Sequence, residues 1–223
     1  SLAIKAEDYP LALPVLILTP KRRLPLLTRE FLDFLRTPAA QDAVAAAGFV
    51  DRSASRQPMT ADGLRLLNAI QGAGEDVTLD DLKRLAGIMD GADRVSLTFR
   101  FEDGSSTLDA QSQDNLTDLA LLIAAGEFRD QKLVLAGFSD GSGAAEANLA
   151  LSVERAAKVA QELAAVAPDL SPAQMPQVEG FGEALPMACD ETAIGRQLNR
   201  RVELWVAPDF APAGTPPVLA PAP

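Results

Sequence analysis

The sequence predicts an α/β fold: a βαβαββ mixed-sheet sandwich preceded by an N-terminal strand-plus-helices segment. Three observations predict it. From Arg94 onward Val95, Leu97, Phe99 and Phe101 alternate with Ser96, Thr98 and Arg100, the period-two pattern of a strand with one buried face. Two helical patterns follow, each leading into a short apolar run. Near the end, Val202, Leu204 and Val206 point one way and Glu203 and Trp205 the other, which marks a last strand. This order places the helices on one side of the sheet.

Taken in sequence, Leu13–Leu18 is an apolar run among prolines that suits a buried strand, and Pro20 to Pro25 make a basic turn. Helical spacing resumes at Thr28–Leu35 with Thr28 as the expected cap, and Thr37-Pro38 starts a second helix that Gly48 closes. After a polar stretch, Ala61–Gln71 and Leu79–Met89 read as helices, the second with Asp80 and Asp81 at the positive end of its dipole. Asp103 to Ser106 form a turn after the first main strand. Helix Ser112–Ala125 carries Leu116, Leu119, Ala120, Leu122 and Ile123 on one side. Strand Lys132–Ala136 leads to Gly137, and a long helix from Ala145 to Val166 stops before Pro168. Val178–Gly180 and Arg201–Val206 are the last strands, and the Pro/Ala-rich end is expected to be disordered. The expected organisation is an N-terminal unit at 1–55, a helical connector at 56–92, a domain at 93–207 and a tail at 208–223.

Composition narrows the function. The chain has 223 residues, 48% of them hydrophobic, enough for a sizeable core. No apolar run approaches the ~18–20 residues of a membrane-spanning helix. The chain begins at Ser1 without a leader pattern, as a mature product or an excised fragment does. Histidine is absent, which removes the usual general base and the commonest metal ligand, so no metal site, cofactor or nucleophile-His-acid catalysis is expected. The single cysteine, Cys189, reads as a small residue packed in a loop. The net charge is −11: residues 1–55 hold seven Lys/Arg against six Asp/Glu, and the remainder thirteen against twenty-five. Nucleic acid and anionic membrane surfaces are poor partners for such a chain, and a ligand with an ammonium group suits it better.

Three motifs carry the chemistry: GFSDGSG at 137–143, NLALSVERA at 148–156 and NRRVEL at 199–204. The first follows a buried strand, so Asp140 lies at a strand end in a glycine-rich turn. Asn148, Ser152 and Arg155, at i, i+4 and i+7, form a polar stripe on the next helix, while Leu149, Ala156, Val159 and Leu163 form the apolar stripe that faces the sheet. Arg200-Arg201, taken alone, reads as a solvated pair at a strand edge.

In this order the motifs resemble the OmpA-like C-terminal domain, a peptidoglycan-binding module, over about Val95–Val206. Asp140 and Arg155 stand fifteen positions apart, the interval at which that family keeps its diaminopimelate-binding Asp and Arg. The resemblance implies that Asp140 accepts from the ammonium of diaminopimelate and Arg155 clamps its carboxylate, with Asn148, Ser142 and Arg200 as supporting ligand-binding positions. It also implies a non-enzymatic anchor in the periplasm or at the outer membrane of a Gram-negative-type envelope, with peptidoglycan as partner. The chain departs from the common family pattern at Gly137-Phe138-Ser139-Asp140, where Gly-His-Thr-Asp is frequent. It departs again at Gly104, where some members place an Asn.

A second resemblance involves YPLALPVLIL and REFLDFLRTPAAQDAVAAAGFV, at about Tyr9–Val50, which are similar to the tail of phosphate-type periplasmic substrate-binding proteins. That family's ligand loops are missing from this chain. The alternative function it implies is a periplasmic oxyanion receptor, engaged in phosphate transport, in which wall binding is secondary.

Overall fold

A computed structural model describes residues 2–13, 15–72, 77–102 and 105–208. The Pro/Ala-rich tail beyond 208 and the turn residues at 103–104, Gly104 among them, lie outside the described residues. The elements are α1 (Leu2–Lys5), α2 (Leu26–Leu35), α3 (Pro38–Ala46), β1 (Arg56–Pro58), α4 (Gly63–Gly72), α5 (Leu79–Met89), β2 (Asp93–Arg100), α6 (Ala110–Ala124), β3 (Gln131–Phe138), α7 (Ala145–Val166), β4 (Gln177–Gly180), α8 (Ala193–Asn199) and β5 (Arg201–Pro208). The sheet order is β1-β2-β5-β3-β4. β3 and β4 are parallel and every other pair is antiparallel. From β2 to β5 this is the expected mixed α/β arrangement, with a short helix inserted before the last strand.

The caps explain several helix starts. Asp109 accepts from Ser112 N–H at the head of α6, Thr192 does so for α8, and Thr78 with Asp81 closes a capping box on α5. Thr37 caps α3 with Pro38 at its first position, as expected, but α2 begins at Leu26 after Pro25, so Thr28 is not a cap.

Helices cover both faces of the sheet, not one. On the first face, Val95, Leu97 and Phe99 of β2, Leu133 and Leu135 of β3 and Val202, Leu204 and Val206 of β5 meet Leu116, Leu119 and Ile123 of α6 and Ala156, Val159 and Leu163 of α7. On the second, Val134, Ala136, Phe138 and Trp205 meet Leu82, Leu85 and Met89 of α5, Ala69 of α4, and Phe181 and Leu185. Each large side chain so buried contributes roughly 1.5–3 kcal/mol.

The polar members of β2 and β5 are also buried. Glu203, fully enclosed, accepts from Arg65 Nη2 at 2.8 Å, Arg201 Nε at 2.7 Å and Trp205 Nε1 at 3.0 Å, and Arg94 Nε stands 3.4 Å from it. Burial alone would raise the Glu203 carboxyl, but Arg65, Arg94 and Arg201 hold it well below its usual range. Arg201 is fully buried too; it donates to the carbonyls of Asn199 and Leu185 and stacks on Phe138 at 4.4 Å. The Arg200-Arg201 pair is therefore not solvated at a strand edge. The register turns its second member inward onto Glu203. Cys189 is likewise exposed, not packed.

The N-terminal segment contains no strand among the described residues of 13–18, and Leu13, Val15, Leu16, Ile17 and Leu18 are exposed. Prolines in and beside the run remove ladder donors, which weakens any strand there. The segment is tied on by charge. Asp8 receives Arg94 Nη1 at 2.8 Å and Arg100 Nη2 at 3.2 Å, Lys5 pairs with Asp51, and Arg36 and Arg52 both reach Asp114 and Asp118 on α6. Beside Asp8, burial lifts the Glu7 carboxyl from 4.5 to about 7 against the pull of Arg100. An acid whose pKa is raised by folding favours its neutral form in the fold. Its contribution is fully present below about pH 4.5 and is lost as pH rises through 7. Glu7→Gln is therefore expected to stabilise the chain at pH 8 by up to about 3 kcal/mol and to be neutral at pH 4, as read by denaturant unfolding at both values.

Candidate functional site

The site is set by how closely α7 approaches the sheet. A Cβ on Gly137 would fall 2.0 Å from the Ser152 carbonyl oxygen, and one on Gly180 would fall 2.4 Å from Val153 Cγ2 and 2.6 Å from Ser152 Oγ. Only hydrogen fits at either position. Ser152 Oγ uses the closeness: it accepts from Gly182 N–H at 2.9 Å and donates to the Leu149 carbonyl at 2.7 Å. The buried line of α7 is therefore Asn148, Ser152, Ala156, Val159 and Leu163. Leu149, expected in the apolar stripe, is on the outer side at 37% exposure, and the polar Asn148 and Ser152 face the sheet instead. Small or hydrogen-bonding groups are what the narrow gap admits.

At the end of β3 the chain turns through Ser139–Ala144 into α7. Asp140 is buried there. Its Oδ1 accepts from Ser142 N–H at 3.0 Å and its Oδ2 from Arg200 Nη1 at 2.9 Å. Burial alone would raise the carboxyl, but these donors outweigh it and hold Asp140 below its ordinary value. Asp140, Ser142 and Arg200 are thus in direct contact.

Arg155, at the flank of α7, is close enough for both charges to act on it. Burial lowers its guanidinium, the neighbouring Arg200 lowers it further, and Asp140 and Glu154 oppose them. Its Nη1 is buried with no hydrogen-bond partner among the described residues, and its guanidinium carbon lies 5.8 Å from the centre of the Phe101 ring. Lys158 pairs with Glu162, at 2.8 Å. Arg155 and Arg200 line one open cleft of about 350 Å³ with Phe101, Ser105, Ser106 and Lys158 among its walls. The arrangement offers a fixed anion, a cation with donor capacity to spare, and space beside them. Asn148 is set behind it. Buried in the α7 line, it donates to Glu183 Oε2 at 3.1 Å, and Glu183 in turn lies against the loop at Gly141.

Two positioning residues went unassigned in the sequence. Asp190 Oδ2 accepts from Gly141 N–H at 2.8 Å, and its Oδ1 accepts from Asn199 Nδ2 at 2.7 Å. Asn199, fully buried, also accepts from the N–H groups of Met187 and Ala188. The first residue of NRRVEL therefore braces the loop that holds Asp140, through Asp190. Its place within a motif was the available signal; Asp190 had none, because its partner is 49 residues away. Among the described residues no group of three or more His, Cys, Asp or Glu is placed to hold a metal ion.

Residues 100–200 match the family model of the OmpA family. The motifs that carry the sequence resemblance fall within or at the end of this match. The chain is 32% identical over 108 residues to the probable lipoprotein YiaD of Escherichia coli (strain K12), covering 48% of this chain and 47% of that protein. It is 34% identical over 113 residues to outer membrane porin F of Pseudomonas fluorescens, covering 51% and 33% respectively. The chain thus spans about half and about a third of the length of these curated relatives. Among solved structures, the peptidoglycan-associated lipoprotein from Burkholderia pseudomallei aligns at 26% identity and a TM-score of 0.44, over 49% of this chain and 88% of that one. The cell wall anchor of the T6SS from Pseudomonas aeruginosa aligns at 28% identity and a TM-score of 0.41, over 53% and 82%.

The Gly137 contact gives this arrangement a direct test. Gly137→Ala is expected to destabilise by at least ~1–3 kcal/mol, because the new methyl meets backbone, which cannot rotate away. Gly87→Ala, in α5 with open space around its Cβ, should instead stabilise by roughly 0.5–1 kcal/mol. Thermal melts of the two variants beside the native chain check both signs.

Proposed function

We propose that this OmpA-like domain binds peptidoglycan non-covalently through the diaminopimelate residue of the stem peptide and so anchors an envelope protein to the cell wall. The observation that carries the reading is the buried Asp140 carboxylate, held by Arg200, together with an Arg155 guanidinium whose Nη1 has no partner among the described residues and which lines the same open cleft as Arg200. The free end of a diaminopimelate side chain is a zwitterion. Its ammonium suits Asp140 and its carboxylate suits Arg155, which presents two parallel donors. Ser142 holds the Asp140 rotamer, Arg200 completes the polar wall, and Asn148 supports the loop through Glu183.

The reading is of a binder, not an enzyme: there is no histidine, and the Asp140 and Glu203 carboxylates are engaged by arginines instead of being poised for proton transfer. A location on the periplasmic side of a Gram-negative-type envelope belongs to the same reading; the family match and the similarity to proteins named as a lipoprotein and an outer membrane porin support it. Each charge-assisted hydrogen bond contributes ~1.5–3 kcal/mol, so a single stem fragment binds in the micromolar to millimolar range. A sacculus offers many sites, and retention on it is stronger.

Co-sedimentation with insoluble sacculi tests the proposal. The native chain is expected to pellet with diaminopimelate-type sacculi and to stay in solution with sacculi that carry lysine at the third stem position. Asp140→Ala and Arg155→Ala should each lower the pelleted fraction at least about tenfold, the loss of one charge-assisted contact. Equal retention of these variants would overturn the assignment.

A further inference from the structure

One buried guanidinium joins the N-terminal segment to the end of α8. Arg100 closes β2 opposite Arg201 of β5 and is 6% exposed. Its Nη2 donates to the Glu7 carbonyl at 2.9 Å, the Ala6 carbonyl at 3.5 Å and Asp8 Oδ1 at 3.2 Å, and its Nε stands 3.6 Å from Glu7 Oε2. Its Nη1 donates to the carbonyls of Leu198 at 2.9 Å and Gln197 at 3.5 Å. Those two carbonyls belong to the last turn of α8, where backbone acceptors have no partner within the helix and a cation suits the dipole. Arg201 serves the next carbonyl, that of Asn199. The residues that leave this turn are those of the site. Asn199 reaches Asp190 at 2.7 Å, Asp190 receives the Gly141 N–H at 2.8 Å, and Arg200 donates to Asp140 at 2.9 Å. Residues 6–8, which lie outside the 100–200 family match, are thus one side chain away from the backbone that carries Arg200.

We propose that Arg100 is a positioning residue for the candidate site, and that through it ligand affinity at the Asp140 loop depends on the seating of residues 6–8. The inference rests on the wall-binding reading above. A guanidinium is a planar fork with donors on separate nitrogens, so it can hold the N-terminal residues with one arm and the helix end with the other; an ammonium is a single point and cannot do both. With residues 6–8 seated, the fork is fixed from one side and the last turn of α8 is fixed from the other. With them unseated, the buried Arg100 loses the Asp8 carboxylate and two carbonyl acceptors. It must turn toward what remains, because an uncompensated buried charge is costly, and the Gln197 and Leu198 carbonyls lose their donor geometry. Asn199 and Arg200 follow that turn, the first bracing the Asp140 loop through Asp190 and the second meeting Asp140 itself. The N-terminal segment thereby acts on the site without touching the ligand.

The test is NMR of the full chain, free and titrated with the tripeptide L-Ala-γ-D-Glu-meso-diaminopimelate, for the native protein, Asp8→Ala and Arg100→Lys. Folded and unfolded molecules give separate resonances, so the affinity read is that of the folded fraction, and either variant suffices if the other fails to fold. In both, the amide resonances of Gly141, Ser142 and Arg200 should shift before any ligand is added, and Kd should rise about three- to tenfold. A purely structural role predicts instead shifts confined to residues 2–9 and β2, a lower melting temperature and an unchanged Kd, which would overturn the positioning role and leave the wall-binding reading intact. Shifts that reach the Asp140 loop with Kd unchanged would overturn it as well. If the native chain does not bind the tripeptide at all, the wall-binding reading falls and this inference falls with it.

Discussion

The distance between α7 and the sheet is the constraint on which the rest of this domain depends. Gly137 and Gly180 lie on the parallel pair β3 and β4, opposite Ser152 and Val153, with no room for a Cβ on either. That approach brings the helix within hydrogen-bond reach of the turn after β4 and fixes the rotation of α7, because only one face of it has groups small or polar enough to enter the gap. Once the rotation is fixed, Arg155 has one place to be: the flank nearest the loop that carries Asp140. The spacing of the two residues along the chain is thus translated into electrostatic proximity by a contact that neither residue makes.

A second buried system holds the opposite face. Glu203 gathers Arg65 from α4, Arg94 from β2 and Arg201 from its own strand, while Arg94 continues to Asp8 in the N-terminal segment. Such networks are costly to desolvate, and removing one member leaves the others uncompensated. Their consequence is specificity of docking: α4 and residues 6–8 can cover this face only where an arginine meets a carboxylate. The network also separates the two arginines of the NRRVEL motif, one drawn into the core by Glu203 and the other left at the cleft with Asp140. Arg200 ends α8 and Arg201 begins β5, so the motif straddles the join of two elements and serves stability and site at once.

Most of the fold was legible because its signals are local. The period-two pattern of β2, the helical stripes of α6 and α7, the Thr37-Pro38 start of α3 and the strand before GFSDGSG were all read from windows of about ten residues. The misreadings share one cause. The alternation predicts one buried face for β2, which leaves Ser96, Thr98 and Arg100 on the other, and polarity normally means water. For Arg100 and Glu203 it means burial with partners that include residues 7 and 8, Ser112 of α6 and Arg65 of α4, between 12 and 138 residues away. The apolar run around Leu13–Leu18 failed in the opposite sense: hydrophobicity suggested a buried strand, but the run has no ladder partner among the described residues and lies exposed.

The sequence by itself determined the order of elements, the absence of histidine chemistry, and the identity and spacing of Asp140, Ser142, Arg155 and Arg200, because these are properties of type and interval along one chain. Only the tertiary structure decided which charges meet. Whether Asp140 faces Arg155, Arg200 or solvent depends on the rotation of α7 and the register of β5, and both are set by long-range contacts that no local pattern encodes. The same holds for Asp190 and Asn199, which support the loop from a distant turn and a short helix. Their role exists only once the backbone amide of Gly141 is brought to them.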